Sequence, residues 1–195
     1  MKLSKPTIYS VDGISGSGKS SGADVIARLM HGIVLDGDTH LFQFIEDRHG
    51  LPRGRGLEYF LKYYVNDVDE YVGLLQDSKP QVEERNYDEI KRLSKLRVPP
   101  GVIVYDYATS STMYPWIGEP DAVKIHFTRP QDARRRSIID REGGNIPAHI
   151  PIVLEEGQSR LILPGDADYT YENTHPTLED HEEAVRRKFC LDREI

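Results

Sequence analysis

Residues 13 to 20 read Gly13-Ile14-Ser15-Gly16-Ser17-Gly18-Lys19-Ser20, with glycine at the first and sixth places, then lysine, then a hydroxyl. Glycines at that spacing let a backbone curl round phosphate oxygens with its N–H groups turned inward. A helix opening at Lys19 adds its positive end. In such a loop Lys19 reaches the β- and γ-phosphates of a nucleotide and the Ser20 hydroxyl ligates Mg²⁺. Gly13, Ser15, Gly16, Ser17, Gly18, Lys19, Ser20 and Ser21 are therefore the candidate nucleotide-binding residues. The plainer alternative is a glycine- and serine-rich turn that merely starts a helix; the fit at every fixed position counts against it. The Asn-Lys-x-Asp by which GTPases read guanine is absent, as is the Leu-Ser-Gly-Gly of ABC-type ATPases. What remains is a small kinase, which needs an acceptor base, a carboxylate for magnesium and a cationic lid.

Each of those parts has candidates. Leu35-Asp36-Gly37-Asp38-Thr39-His40 follows a short apolar run, so its acids would face the γ-phosphate from the acceptor side. Asp38 is favoured over Asp36 as the base that takes the acceptor's proton; the competing role is capping a helix that begins near Thr39. His40 is a neighbouring polar contact, with binding of the acceptor as the alternative. Val102 to Tyr105 is apolar and ends in Asp106, the pattern of a carboxylate that holds Mg²⁺ through water. Arg134, Arg135 and Arg136, then Arg141, line a segment after the fourth apolar run. Arginine forks there can hold a migrating phosphoryl group, and Arg134 and Arg136 are the candidates; a solvated helix face is the alternative. Gly143-Gly144 is a hinge for such a lid, placed at about 130–150. His49 to Gly56 carries Arg53 and Arg55, either an anion-binding loop or an exposed connection. The aromatics of the long helical segment are expected in the core, with Tyr59 or Tyr63 at its edge able to stack on a base; Tyr87 and the Tyr105, Tyr107, Tyr114 and Trp116 group are further stacking candidates.

These groups need a scaffold. Thr7 to Val11, Ile33 to Leu35, Val102 to Tyr105 and Ala122 to Phe127 are apolar runs of strand length, with a weaker fifth at Tyr169 to Tyr171. Helical spacing marks Lys19 to Met30, Leu57 to Leu75, Tyr87 to Arg97, Pro130 to Arg141 and Thr177 to Arg187. Alternating strands and helices predict one α/β domain over residues 1–195, with a parallel sheet covered on both faces. Ligands bind beyond the carboxyl ends of such strands, where the loop and the acids fall.

Composition sets outer bounds. The 195 residues are 38% hydrophobic and 29% charged, with a formal charge of −7, which disfavours a protein that coats nucleic acid or anionic membrane. A single cysteine, Cys190, excludes a disulfide framework. Lys2 and Lys5 precede no apolar stretch, and no run has the length of a membrane span, so the expectation is a cytoplasmic protein.

Taken together, Gly13 to Ser20, the acid after the second strand, Asn86-Tyr87-Asp88 and Val102 to Asp106 resemble the uridine kinase-like branch of P-loop kinases. So do Asp132-Ala133-Arg134 with the arginines after it, and Leu161 to Pro164 followed by Ala167-Asp168. Leu35 to Asp38 is similar to gluconate and adenylylsulfate kinases. Ala167 to Asn173, with Thr177-Leu178-Glu179, is similar to the end of dephospho-coenzyme A and nucleoside monophosphate kinases, where that stretch lies near the adenine. The resemblance implies a three-layer P-loop NTPase fold with a five-stranded parallel sheet and a helical lid. It implies ATP as donor, Mg²⁺, a hydroxyl acceptor, and Asn173 at the nucleotide. Asp106 stands where uridine kinases often carry Glu, and Thr39-His40 where they carry an aromatic pair, marking a divergent member. The expected activity is transfer of the γ-phosphate to a nucleoside or related small molecule, with Tyr87, Asp36, His40, Arg53 and Arg55 toward the acceptor. The alternatives are a kinase acting on a 5′-hydroxyl or a hydroxymethylated base in DNA, and a non-catalytic ATP-binding regulator.

Overall fold

A computed structural model describes residues 6–96, 101–107, 122–141, 143–144, 146–162 and 167–190. Tyr114, Trp116 and Pro164 lie outside the described residues. Five strands, β1 (Thr7–Asp12), β2 (Ile33–Asp36), β3 (Val102–Asp106), β4 (Val123–Thr128) and β5 (Tyr169–Glu172), form one parallel sheet in the order β2-β3-β1-β4-β5. All five apolar runs of the sequence become strands. Register aligns their carboxyl ends: Asp36 pairs with Asp106, Asp12 with His126 and Thr128 with Glu172. The residues that follow the strands therefore share one rim.

Seven helices are described: α1 (Lys19–Leu29), α2 (Gly37–His49), α3 (Gly56–Tyr63), α4 (Val68–Ser94), α5 (Gln131–Arg141), α6 (Ile150–Ser159) and α7 (Leu178–Cys190). Alternation along β1 sorts the core. Tyr9 and Val11 join Ile125 and Phe127 against Val25 and Ile26 of α1 and Val185 of α7. Ile8 faces the other way, into a cluster with Ile45 of α2, Phe60 of α3, Leu74 of α4 and Leu154 of α6. Full burial of such side chains contributes about 1.5–3 kcal/mol each, so the two clusters hold the three layers together. None of these helices is long and apolar enough to cross a membrane.

The helical pattern from Leu57 to Leu75 is two helices. Asn66 Nδ2 donates to the Lys62 carbonyl at 2.6 Å as α3 ends, and the Asp67 carboxylate accepts from the N–H groups of Asp69 and Glu70 to cap α4. Apolar residues on both sides of the break face the same cluster, which is why the spacing runs through it. Conversely, the separate helix expected from Tyr87 is the second half of α4, which continues through Pro80. Proline there removes one helical hydrogen bond; Pro80 and Gln76 are both exposed, so water reaches the released carbonyl. Helix α6 is an addition: Pro151 occupies its first turn, where a missing N–H costs nothing.

Candidate active site

The phosphate loop leaves β1 at Gly13 and enters α1 at Lys19. Gly13, Gly16 and Gly18 have φ of +147°, +82° and +90°, conformations that side chains resist. Space matters as much: a Cβ on Gly16 would sit 2.5 Å from the Arg134 carbonyl oxygen, and one on Gly18 2.5 Å from Asn173 Nδ2. Helix α5 and the loop after β5 thus press on the glycine backbone directly. Below it, His126 Nδ1 lies 2.5 Å from Asp12 Oδ1, both buried, tying β1 to β4 one residue before the loop begins.

On one side the loop opens into a cavity of about 710 Å³. Of the predicted nucleotide-binding residues, Gly16, Gly18, Lys19, Ser20, Ser21 and Asn173 line it, facing Arg129, Arg136 and Arg141. Asn173 also shapes the loop, donating from Nδ2 to the Ser17 carbonyl at 3.1 Å. His181 of α7 does the same for Gly18, its Nε2–H donating to that carbonyl at 3.0 Å. Burial holds the His181 pKa below the ordinary imidazole value, so the ring is neutral near pH 7.

Asp36, Asp38 and Asp106 gather near Lys19 and are not among the residues that line the cavity. Asp36, not Asp38, caps α2: its carboxylate accepts from the Asp38 N–H at 2.9 Å and the Thr39 hydroxyl at 3.1 Å. Because the helix begins at Gly37, Asp38 is released from the capping role that the sequence left open. Burial pushes the Asp38 pKa up to about 6; Lys19 opposes the shift, and Asp36 and Asp106 add to it. A carboxylate that titrates there is poised to accept a proton at neutral pH. Asp106 is also raised, first by burial, with Lys19 and a hydrogen bond from the Ser20 hydroxyl holding it down. Its Oδ1 is buried without a hydrogen-bond partner. An orphaned carboxylate oxygen beside the loop hydroxyl suits a hard cation that keeps most of its ligands as water and phosphate. No cluster of three or more His, Cys, Asp or Glu able to hold a metal exists among the described residues.

The arginines divide. Arg134 donates to Glu155 of α6 at 2.6 Å and to the Arg129 carbonyl, and Arg135 donates to the other Glu155 oxygen at 2.9 Å. Arg134 is thus committed to packing α5 on α6, whereas Arg136 and Arg141 face the cavity. Arg141 is close enough to Asp38 to lower its pKa, so the last turn of α5 spans both halves of the site. Arg129, which opens the basic segment directly after β4, also lines the cavity.

The remaining acceptor candidates sit apart from the cavity. Arg53 pairs with Glu46 and Asp47, at 3.3 and 2.8 Å, and Arg55 pairs with Glu58 at 2.7 Å. Glu46 Oε1 also accepts from the N–H groups of Gly54 and Gly56, so the basic loop is folded onto its own acid. Tyr87 is exposed on α4 with Lys91 over its ring. His40 hydrogen-bonds Gln43 within α2. Gln158 of α6, which sequence reasoning missed, is buried against the loop: the Ser15 N–H donates to its Oε1 at 2.7 Å.

No family model and no curated protein matches this chain. Among solved structures it is similar to TT1252 from Thermus thermophilus, at 21% identity and a TM-score of 0.59, covering 95% of this chain and 97% of that one. It is similar to shikimate kinase from Acinetobacter baumannii in complex with shikimate, at 14% identity and 0.55, covering 99% and 97%. A gluconokinase from Sinorhizobium meliloti 1021 aligns at 17% identity and 0.53, covering 96% and 95%. At such identities the likeness establishes the fold: a parallel α/β sandwich of the P-loop kinase type.

Proposed function

We propose that this protein is an ATP-dependent kinase that transfers the γ-phosphoryl group to a hydroxyl of a small molecule, a nucleoside or a related metabolite. The observation that carries the reading is the phosphate loop, whose Lys19 lines a cavity of about 710 Å³ and also lies close to the acids Asp38 and Asp106. A nucleotide in that cavity would lie along the loop amides, with Lys19 at its terminal phosphates. Arg129, Arg136 and Arg141 would stabilise the charge of the group in flight. Ser20 and Asp106 would hold Mg²⁺, which when bound neutralises phosphate charge. Asp38 takes the acceptor's proton as the new O–P bond forms and the bond to the β-phosphate oxygen breaks.

Shikimate kinase and gluconokinase among the structural neighbours support a small acceptor. The internal pairing of Arg53 and Arg55 supports it too, because those cations are already answered by acids. The uridine kinase-like resemblance of the motifs favours a nucleoside.

The test is ADP release from ATP and Mg²⁺ with uridine, cytidine, adenosine, gluconate, shikimate and a 5′-hydroxyl oligonucleotide, Lys19→Ala serving as blank. Stimulation by a small molecule that Lys19→Ala abolishes is the expected result. Stimulation by the oligonucleotide alone replaces it with a nucleic-acid kinase. ATP binding without stimulated turnover replaces it with a nucleotide-binding regulator.

A further inference from the structure

Gln158 makes three hydrogen bonds from a side chain that is 3% exposed. Besides accepting from the Ser15 N–H, it donates from Nε2 to Ser15 Oγ at 2.9 Å and to the Tyr71 hydroxyl at 3.0 Å. A backbone N–H can only donate, which fixes the amide oxygen on Ser15 N and the amide nitrogen on the two hydroxyls. Both hydrogens of that nitrogen are then spent. Each hydroxyl is an acceptor toward Gln158 and must aim its own proton elsewhere.

The two hydroxyls stand at useful places. Ser15 is in the phosphate loop on its partly exposed edge. Tyr71 is in the first turn of α4, and the charged group whose field reaches it is Asp38. Gly157, next to Gln158, is pressed on the Tyr71 ring so closely that a side chain there would not fit, which fixes the phenol relative to α6. One turn earlier on α6, Glu155 holds Arg134 and Arg135 of α5. The same helix therefore grips the lid and the loop.

We propose that Gln158 is a positioning residue that sets hydrogen-bond polarity on the acceptor side, turning the Ser15 and Tyr71 hydroxyls into donors toward the reacting groups. This rests on the kinase reading. The Ser15 proton is presented to the transferred phosphoryl oxygens. The Tyr71 proton is presented to the acceptor hydroxyl oxygen, which gives its own proton to Asp38 and keeps a lone pair for phosphorus.

Gln158→Glu tests it, since a carboxylate still accepts from Ser15 N but donates to neither hydroxyl. With the most stimulating acceptor of the panel, kcat should fall about 10-fold or more and the acceptor KM should rise, on the usual worth of a transition-state hydrogen bond. The Kd for ADP should stay within about threefold, because the loop amide keeps its partner. Tyr71→Phe alone should raise the acceptor KM with the ADP Kd unmoved. In the Tyr71→Phe background the Gln158→Glu effect on KM should shrink at least about threefold, as coupled neighbours require. Repulsion by the added charge alone would leave the two losses additive, and additivity overturns the proposal. So does a wild-type kcat in Gln158→Glu, or a loss of ADP affinity as large as the loss of kcat. If Gln158→Glu does not fold, Tyr71→Phe decides: unchanged kcat and acceptor KM overturn it. A wild type that no acceptor stimulates removes the kinase reading and this inference together, whereas an active wild type indifferent to Gln158→Glu removes this inference alone.

Discussion

On the proposed reading, the donor and acceptor halves of the site are built by different means. The donor half is mostly backbone: glycines of positive φ, with the Ser17 and Gly18 carbonyls held by Asn173 and His181 and with α5 lying on Gly16. Its chemistry resides in the path of the chain, and few substitutions of that path are tolerated. The acceptor half is side chains on helix termini and strand ends, namely Asp36, Asp38 and Asp106, with Tyr71 and Gln158 behind them. Those can be exchanged without redirecting the chain. The fold is shared at 17% identity with a gluconokinase and at 14% with a shikimate kinase.

That contrast can be broken most decisively at Asp38. Asp38→Asn should lower kcat by about 10² or more while nucleotide affinity survives, the usual consequence of losing a general base. An unchanged kcat would move the role to Asp36. The same variant should change stability in the opposite direction. With an ordinary value of 3.8 and a folded-state value of about 6, Asp38 carries no penalty below pH 3.8 and the full penalty above pH 6. Asp38→Asn should therefore stabilise the fold at pH 7–8, by on the order of 1–2 kcal/mol, and leave it unchanged near pH 4. Thermal melts at both values check the sign. In the wild type, kcat/KM should rise with pH through about 6 as the base loses its proton.

Arg141 is the next sharpest probe, since it faces the donor cavity and also Asp38. Arg141→Ala should cost about 10- to 100-fold in kcat, as the loss of a positioned cation does, and should raise the kinetic pKa, because the Arg141 charge holds the Asp38 pKa down. A loss confined to nucleotide affinity would assign it to the donor half alone. Glu155→Gln should act less, about 3- to 10-fold on kcat, by loosening α5 on α6 rather than by touching substrate; an unaffected rate would show that the clamp is packing only. Smallest is the distal loop. Arg53→Ala and Arg55→Ala should each leave kcat/KM within about twofold, the scale of exposed ion pairs. A tenfold loss in either would bring that loop into the acceptor site.

The layers were legible because strands that are buried on both faces must be apolar throughout, as Val102 to Tyr105 is, and because the loop glycines have no other use. Asp106 was legible for the same reason, an acid ending a wholly apolar run. The break at Asn66-Asp67 was not, since a cap and a continued helix can present one apolar face to the same core. Nor were Gln158 and Tyr71, whose meaning lies in a contact across 87 positions of chain. Arg134 and Arg136 look alike in a run of three. They differ by where a turn of helix points them, which is settled only when Glu155 arrives from α6.

The Glu155 clamp has a mechanical consequence. It grips α5 at Arg134 and Arg135, near the end that rests on Gly16, and leaves the far end to run to Arg141 and the two positive-φ glycines, Gly143 and Gly144. At a rise of 1.5 Å per residue the arm from clamp to Arg141 is about 10 Å long. If Arg141 must be placed within about 0.5 Å to be useful, the helix can pivot on the clamp by only roughly 3°. Glu155 thus contributes angular stiffness to the helix that carries Arg141, together with Ile138, which is buried on the same arm.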